Sequence, residues 1–323
     1  MAIKTVLNIA EDESAARKRA CEVLARGGLL AMPTETVYGL AGNATNGSAV
    51  ARIFETKGRP RFNPLICHVS GMEMARRYVT FNETANRLAE MFWPGPLTLV
   101  LPLRSGTAIH PLTTAGLDTL AVRIPTGFAQ TLIAAFDRPL AAPSANRSGK
   151  VSPTTAIHVA NDLGSTVDLI LDGGPAAVGL ESSIVKPGGE SVELLRPGGL
   201  AAHDIESVAG TPLRRRSGSG NAVEAPGMLH SHYAPQAALS PNATHVKPGD
   251  ALITFAGKVL EGQTDAVAVF DLSPAGDLRE AAANLFDFVR RADVATRARI
   301  CVAPIPKTGL GEAINDRLER AAA

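Results

Sequence analysis

Cysteine is scarce in this 323-residue chain: Cys21, Cys67 and Cys301 stand far apart, with no Cys-x-x-Cys spacing. That pattern disfavours both a zinc site and a disulfide scaffold and suits a reducing compartment. Net charge is almost absent as well. Lys and Arg together number 32 against 31 Asp and Glu, a formal charge of +1, so the balance gives no global argument for nucleic-acid binding. Any anion must therefore be held by a local site. Long apolar runs are missing too. Val6 to Ile9 is short, mostly apolar and soon followed by Glu11-Asp-Glu, so neither a signal peptide nor a bilayer-spanning segment is expected, and the predicted location is the cytoplasm. Common catalytic words are lacking: there is no Gly-x-Ser-x-Gly, no Walker sequence, no His-Glu-x-x-His, and no carboxylate cluster that would pin a metal.

What is present describes a globular α/β protein. A hydrophobic share of 45% over this length can bury a substantial core in one large or two ordinary domains. Ala16, Ala20, Val23 and Leu24 recur at helical spacing before Gly27-Gly28, predicting a first helix over 14–26. Leu29 to Met32 reads as a buried strand stopped by Pro33, which delivers Thr34, Thr36 and Tyr38 into a loop. Helical signals over 48–56, 82–92 and 129–136 alternate with strand signals over 65–69, 97–101 and 120–124. Two further strands, 183–186 and 192–196, form a predicted hairpin around Pro187-Gly-Gly. From 208 to 237 the hydrophobic period is lost, as in Arg214-Arg-Arg-Ser-Gly-Ser-Gly-Asn, and a flexible linker is predicted. Strand and helix signals resume over 251–321 without a Gly-x-Gly-x-x-Gly word, predicting a small Rossmann-like domain. The expected division is 1–207, 208–237 and 238–323.

Three stretches concentrate polar chemistry. The first is Met32-Pro-Thr-Glu-Thr-Val-Tyr-Gly-Leu-Ala, and the second is Lys57-Gly-Arg-Pro-Arg-Phe-Asn-Pro-Leu-Ile-Cys-His. The third is Ala142-Pro-Ser-Ala-Asn-Arg-Ser-Gly. Lys57, Arg59, Arg61, Asn63 and His68 crowd donors suited to anionic oxygens into one turn and the strand after it. Each also has a plainer reading. Lys57 and Arg59 fit solvated cations at a helix end, Asn63 fits a turn before Pro64, and His68 fits a core histidine. Arg123 sits in an apolar strand and needs a carboxylate, for which Asp118 and Glu181 are internal candidates.

These words, together with Trp93-Pro-Gly-Pro-Leu-Thr, Val122-Arg-Ile-Pro, Leu180-Glu-Ser-Ser-Ile-Val and Leu195-Arg-Pro-Gly, resemble the YrdC-like family, the L-threonylcarbamoyladenylate synthases. Ala225-Pro-Gly-Met-Leu-His-Ser-His-Tyr-Ala-Pro resembles the linker word of the long, two-domain members, so the likeness covers nearly the whole chain. The resemblance implies a YrdC-like twisted mixed sheet with helices, followed by a linker and a small α/β domain. It implies a nucleotidyltransferase that joins L-threonine, bicarbonate or CO2, and ATP into threonylcarbamoyl-AMP and pyrophosphate. By that likeness Lys57, Arg59, Ser144 and Asn146 form a catalytic tetrad around the triphosphate. Asn63, Thr119, Ser152, Arg196 and Tyr233, with Arg59 and Ser144, contact the nucleotide. Thr36, His68, Arg123 and Ser182 hold threonine. Mg²⁺ would travel with ATP and no protein metal site is expected. The product would pass to a threonylcarbamoyl transferase complex that modifies adenosine 37 of tRNA (the t6A modification), with no strong direct nucleic-acid binding and no membrane partner. Two other classes share the first domain, an RNA-binding module and the hydrogenase-maturation carbamoyltransferases. Near-neutral charge counts against the first, and the missing Cys-x-x-Cys modules count against the second. His230 and His232 raise metal ligation, but a linker lid over the nucleotide is the expectation preferred here.

Overall fold

The computed structural model describes residues 5–189, 191–215, 223–228 and 231–323. Among these, eleven strands form one mixed sheet: β1 (Val6–Asn8), β2 (Leu30–Met32), β3 (Gly39–Asn43), β4 (Ile66–His68), β5 (Leu97–Pro102), β6 (Thr119–Arg123), β7 (Leu140–Ala141), β8 (Leu169–Asp172), β9 (Ser183–Pro187), β10 (Val192–Arg196) and β11 (Leu213–Arg215). Their order across the sheet is β1-β8-β2-β3-β7-β4-β6-β5-β9-β10-β11. β4 runs parallel to β6 and antiparallel to β7, whereas β5 is antiparallel to β6 and parallel to β9.

Among the described residues eight helices accompany this sheet: α1 (Glu13–Ala25), α2 (Gly47–Lys57), α3 (Met72–Tyr78), α4 (Glu83–Phe92), α5 (Pro111–Thr114), α6 (Phe128–Phe136), α7 (Ala156–Leu163) and α8 (Ala202–Ala209). Local sequence sets their ends. The Asp12 side chain accepts from the Ala15 N–H to cap α1, and Asn82 does the same for α4 through Ala85. α2 is capped by Asn46 and closes at Gly58, whose φ of 61° lies in the left-handed region that glycine enters without steric penalty.

Strand alternation decides where the cleft lies. Cys67 of β4, Leu99 of β5 and Val122 of β6 point into the helix-covered core, while Ile66, Val100 and Ala121 pack on the other face with Ile184, Leu195 and Ala225. His68 and Arg123, two residues beyond Ile66 and Ala121, share that second face and are register partners. The sheet thus buries one surface under helices and offers the other as a floor.

The second body has a four-stranded parallel sheet in the order β12-β15-β13-β14, from β12 (Ala238–Ser240), β13 (Ala251–Thr254), β14 (Ala268–Asp271) and β15 (Arg299–Val302). Helices α9 (Leu278–Ala295) and α10 (Leu310–Ala322) pack against each other beside it. Its apolar core runs on into Val37, Val151 and Leu180 of the first body. Gly179 makes that approach feasible: with φ of 74°, a Cβ there would meet Ala282 O and Ala283 Cα of α9 at 2.4 Å. Arg290 pairs with Asp162 at 2.6 Å and His158 with Asp287 at 3.3 Å across the same seam.

The segment expected to be a linker is partly regular. α8 continues to Ala209, and Leu213–Arg215 forms β11, which pairs in parallel with β10. An edge strand needs only one bonded side, so a single buried Leu213 anchors two exposed arginines that read as linker composition. Residues 216–222, and His230 with Leu229, lie outside the described residues.

Candidate active site

The β2–β3 loop, the β4 and β6 strand ends and the start of β9 converge on one end of the cleft. Thr34 donates its hydroxyl hydrogen to Val37 O at 2.6 Å, so Thr36 is the donor in the 2.8 Å contact between the two hydroxyls. Arg123 is buried and donates through Nε to Gly95 O at 3.0 Å and through Nη1 to Thr36 Oγ1 at 2.8 Å. Its carboxylate partner is neither Asp118 nor Glu181. Glu35 Oε1 lies 2.5 Å from Arg123 Nη2, while Glu35 Oε2 accepts from the Thr126 N–H at 3.3 Å. Ser182 Oγ stands 2.7 Å from Thr98 Oγ1. Beside them His68 is held neutral: burial first, then the Arg123 charge, pushes its pKa down to about 3. Its Nδ1 is buried with no hydrogen-bond partner among the described residues.

The other end is cationic. Lys57, in the last turn of α2, donates to Ser144 O and Asn146 O at 2.5 Å each. Arg59 donates to Asn63 O, Asn63 Oδ1 and Pro64 O at 3.0, 2.6 and 2.8 Å, so Asn63 organises the arginine. Arg196 reaches Ser182 O through Nε and Nη2 at 3.1 and 2.8 Å. Burial, then the Arg59 charge, holds the Lys57 ammonium well below the usual lysine range. Burial, then Arg196, brings Arg59 to about 9, and burial lowers Arg196 as well. Guanidinium groups keep their proton in proteins, so the arginine shifts express how strongly this end favours incoming negative charge.

The Asn146 amide nitrogen donates to Arg147 O and Lys150 O at 2.9 and 2.6 Å, folding the loop after β7. Ser152 donates to Glu181 Oε1 at 2.5 Å. Thr36, Arg59, His68, Arg123, Ser144, Ser182, Arg196 and Tyr233 line one cavity, Lys57, Asn63 and Ser152 bond to its walls, and Asn146 stands behind them as an acceptor of Lys57. Thr119 is not brought there. It begins β6 opposite Pro102, four residues along the strand from Arg123, a rise of about 13 Å.

The linker closes the cleft, and the second body backs it. Pro226, Gly227, His232 and Tyr233 complete its lining and leave about 50 Å³ inside. Tyr233 stacks on Phe286 of α9 at 5.5 Å between centroids, with His232 edge-on at 4.1 Å. Burial is the main cause that raises the Tyr233 hydroxyl to about 12. Sequence reasoning missed Glu35 as the partner of Arg123, and it missed Arg317 of α10, whose Nε donates to Glu181 Oε2 at 2.9 Å. Arg317 did leave a signal, because it falls on the helix stripe formed by Ala313, Ile314, Leu318 and Ala321.

A mixed α/β sheet carrying a cationic cleft, with a linker over it and a smaller parallel-sheet body packed behind, is an architecture that known proteins share. Residues 22–198 match the Sua5/YciO/YrdC family model, described as telomere recombination, and the chain belongs to that family. Residues 200–323 match the model described as threonylcarbamoyl-AMP synthase, C-terminal domain. The chain is 42% identical over 312 residues to threonylcarbamoyl-AMP synthase of Pyrococcus abyssi, covering 91% of this chain and 90% of that protein. It is 39% identical over 320 residues to the Bacillus subtilis protein of the same name, covering 94% and 92%. The crystal structure of P. abyssi Sua5 complexed with L-threonine superposes with a TM-score of 0.88 at 38% identity over 99% of this chain and 98% of that one. E. coli YciO shares the fold of the first body, with a TM-score of 0.55 at 20% identity over 61% of this chain and 96% of that one.

Proposed function

We propose that this chain makes threonylcarbamoyl-AMP and pyrophosphate from L-threonine, bicarbonate or CO2, and ATP. One observation carries the reading: a single buried cleft has a hydroxyl-lined end built on Arg123 and a cationic end built on Lys57, Arg59 and Arg196. The likeness to full-length threonylcarbamoyl-AMP synthases supports it. In this reading Arg123 takes the threonine carboxylate, with Glu35 holding its second edge, and Thr36, His68 and Ser182 surround the side chain. A neutral His68 adds no second positive charge there.

The threonine amine loses a proton and bonds to CO2, giving a carbamate. A carbamate oxygen then attacks the α-phosphorus as the bond to the pyrophosphate oxygen breaks, and the electron pair leaves with pyrophosphate. Nothing is oxidised and no side chain need form a covalent bond. Catalysis is positioning plus stabilisation of charge on phosphorus and on departing pyrophosphate by Lys57, Arg59, Ser144 and Asn146. Asn63, Ser152, Arg196 and Tyr233 serve the nucleotide side. Thr119, which the fold does not bring to the cavity lining, is given no part in this reading.

Mg²⁺ is carried by the triphosphate, as suits a hard cation that keeps oxygen ligands and water. Among the described residues no group of three His, Cys, Asp or Glu side chains is placed to hold a metal. The expected catalytic body of 1–207 extends to Arg215, since β11 joins its sheet; the linker between it and the C-terminal body of 238–323 acts as a lid through Pro226, Gly227, His232 and Tyr233. The product is handed to a threonylcarbamoyl transferase complex acting on tRNA, in the cytoplasm. No described helix is long and apolar enough to cross a membrane.

The test is pyrophosphate release from ATP, with the adenylate identified by mass. Release that requires both L-threonine and bicarbonate supports the proposal, and release indifferent to either one contradicts it.

A further inference from the structure

Arg317 is the bulkiest of the fully buried side chains, at 1% exposure, and it belongs to α10 rather than to the catalytic sheet. A guanidinium on a helix's apolar stripe is costly to bury unless every donor direction is answered. The answers come mostly from the first body and the linker. Nε donates to Glu181 Oε2 at 2.9 Å, Nη2 to Pro197 O at 2.9 Å, and Nη1 to the neighbouring Asp316 Oδ2 at 2.6 Å. Its central carbon stands 5.1 Å from the centroid of the Tyr233 ring. The other Glu181 oxygen accepts from Ser152 at 2.5 Å.

Glu181 is the anomaly that gives Arg317 a task. It is a buried carboxylate in the wall of the cleft that also holds Arg59, Ser144 and Arg196. A bare carboxylate there would repel a triphosphate and draw on the cations meant for it. Burial would push the Glu181 carboxyl up, but the Arg317 and Arg196 charges, with hydrogen bonds from Ser152 and Arg317, hold it down at about 2, so it stays ionised. Without Arg317 that charge would fall to Arg196 alone, a cation of the phosphate end. Arg317 meets it from the second body.

We propose that Arg317 is a positioning residue through which the C-terminal body conditions the nucleotide end of the cleft: it takes the larger share of neutralising Glu181, frees Arg196 as well as Lys57 and Arg59 to meet the phosphates, and backs the Tyr233 ring over the site. This inference rests on the function proposed above, and it gives the second body a part in binding ATP that threonine does not share.

The experiment is calorimetric binding of a non-hydrolysable ATP analogue with Mg²⁺, and separately of L-threonine, to the full chain and to Arg317→Gln, Glu181→Gln and the double variant, each with its melting temperature. Arg317→Gln should weaken the analogue by at least about tenfold, within the range for removing one partner of a buried charge pair, and change threonine affinity by less than about twofold. The double variant, with no carboxylate left unpaired, should recover most of the lost affinity. If Arg317→Gln does not fold, the double variant decides: analogue affinity within about threefold of the wild type supports the proposal, and a loss of tenfold or more overturns it. Equal weakening of both ligands without recovery in the double variant also overturns it, since that is what a purely structural bridge would give. A wild-type protein that binds the analogue alongside an Arg317→Gln variant within twofold contradicts this inference alone. A wild-type protein that binds no analogue contradicts the proposed function and this inference together.

Discussion

Lys57 and Arg59 spend their bonds on carbonyl oxygens and on Asn63, so they shape the phosphate end as well as charge it. Lys57→Ala or Arg59→Ala should therefore lower the rate of pyrophosphate release by roughly 10²–10³-fold, the range for removing a preorganised donor, while a cooperative melt persists. Steady-state kinetics beside calorimetry checks this, and unchanged turnover in both variants removes them from the mechanism. Threonine should be preferred to serine, because one missing methyl forfeits about 1 kcal/mol of burial, or roughly five- to tenfold in kcat/KM. His68 supplies a pH test. The fold accommodates the neutral ring, with a pKa near 3 against 6.5 for the free group, so the unfolded chain binds more protons between those values. Its contribution to stability is fully present above pH 6.5 and falls as the pH drops toward 3. His68→Gln should accordingly flatten the loss of melting temperature between pH 7 and 4.5, and parallel curves for the two proteins would refute that. At this scale the sequence was legible where residue types announced their chemistry. The partner of Arg123 was not legible, because Glu35 is brought to it by a turn whose geometry rests on the Thr34 hydroxyl.

Elements with strong local signals were readable. α1, α2, α4 and α6, together with β4, β5, β6 and the β9–β10 hairpin, lie within a residue or two of the expected spans because caps and periodicity define them locally. β3 and β7 were not readable. The first is a fully buried run with two glycines and the second is two residues long, and both are strands because neighbours pair with them. The linker carries its own prediction. With only about 50 Å³ left beneath Pro226, Gly227 and Tyr233, a nucleotide needs that roof to move, and bound substrates should then fix it. ATP with threonine should slow hydrogen exchange over 231–236, and Tyr233→Ala should weaken nucleotide retention by about tenfold, typical of losing an aromatic stacking partner. Equal exchange with and without both ligands would reduce this segment to a tether.

Across the molecule, the two bodies share one apolar core and several ion pairs, and the second body supports the site from behind, through Arg317 on Glu181 and Phe286 on Tyr233. Sequence could separate the bodies by composition, yet it could not show that α10 reaches Glu181, since only the folded seam brings positions 136 residues apart into contact. The near-zero net charge fits a site whose positive field is local and buried rather than spread over the surface. The central claim is that one cleft seats an amino acid at Arg123 and a triphosphate at Lys57, Arg59 and Arg196. The most direct measurement is a crystal structure of the full chain with L-threonine and a non-hydrolysable ATP analogue. The account predicts the threonine carboxylate on Arg123, the α-phosphorus facing the threonine amine, and the phosphates against Lys57, Arg59 and Arg196. Threonine bound away from Arg123, or phosphates bound outside this cleft, would contradict it.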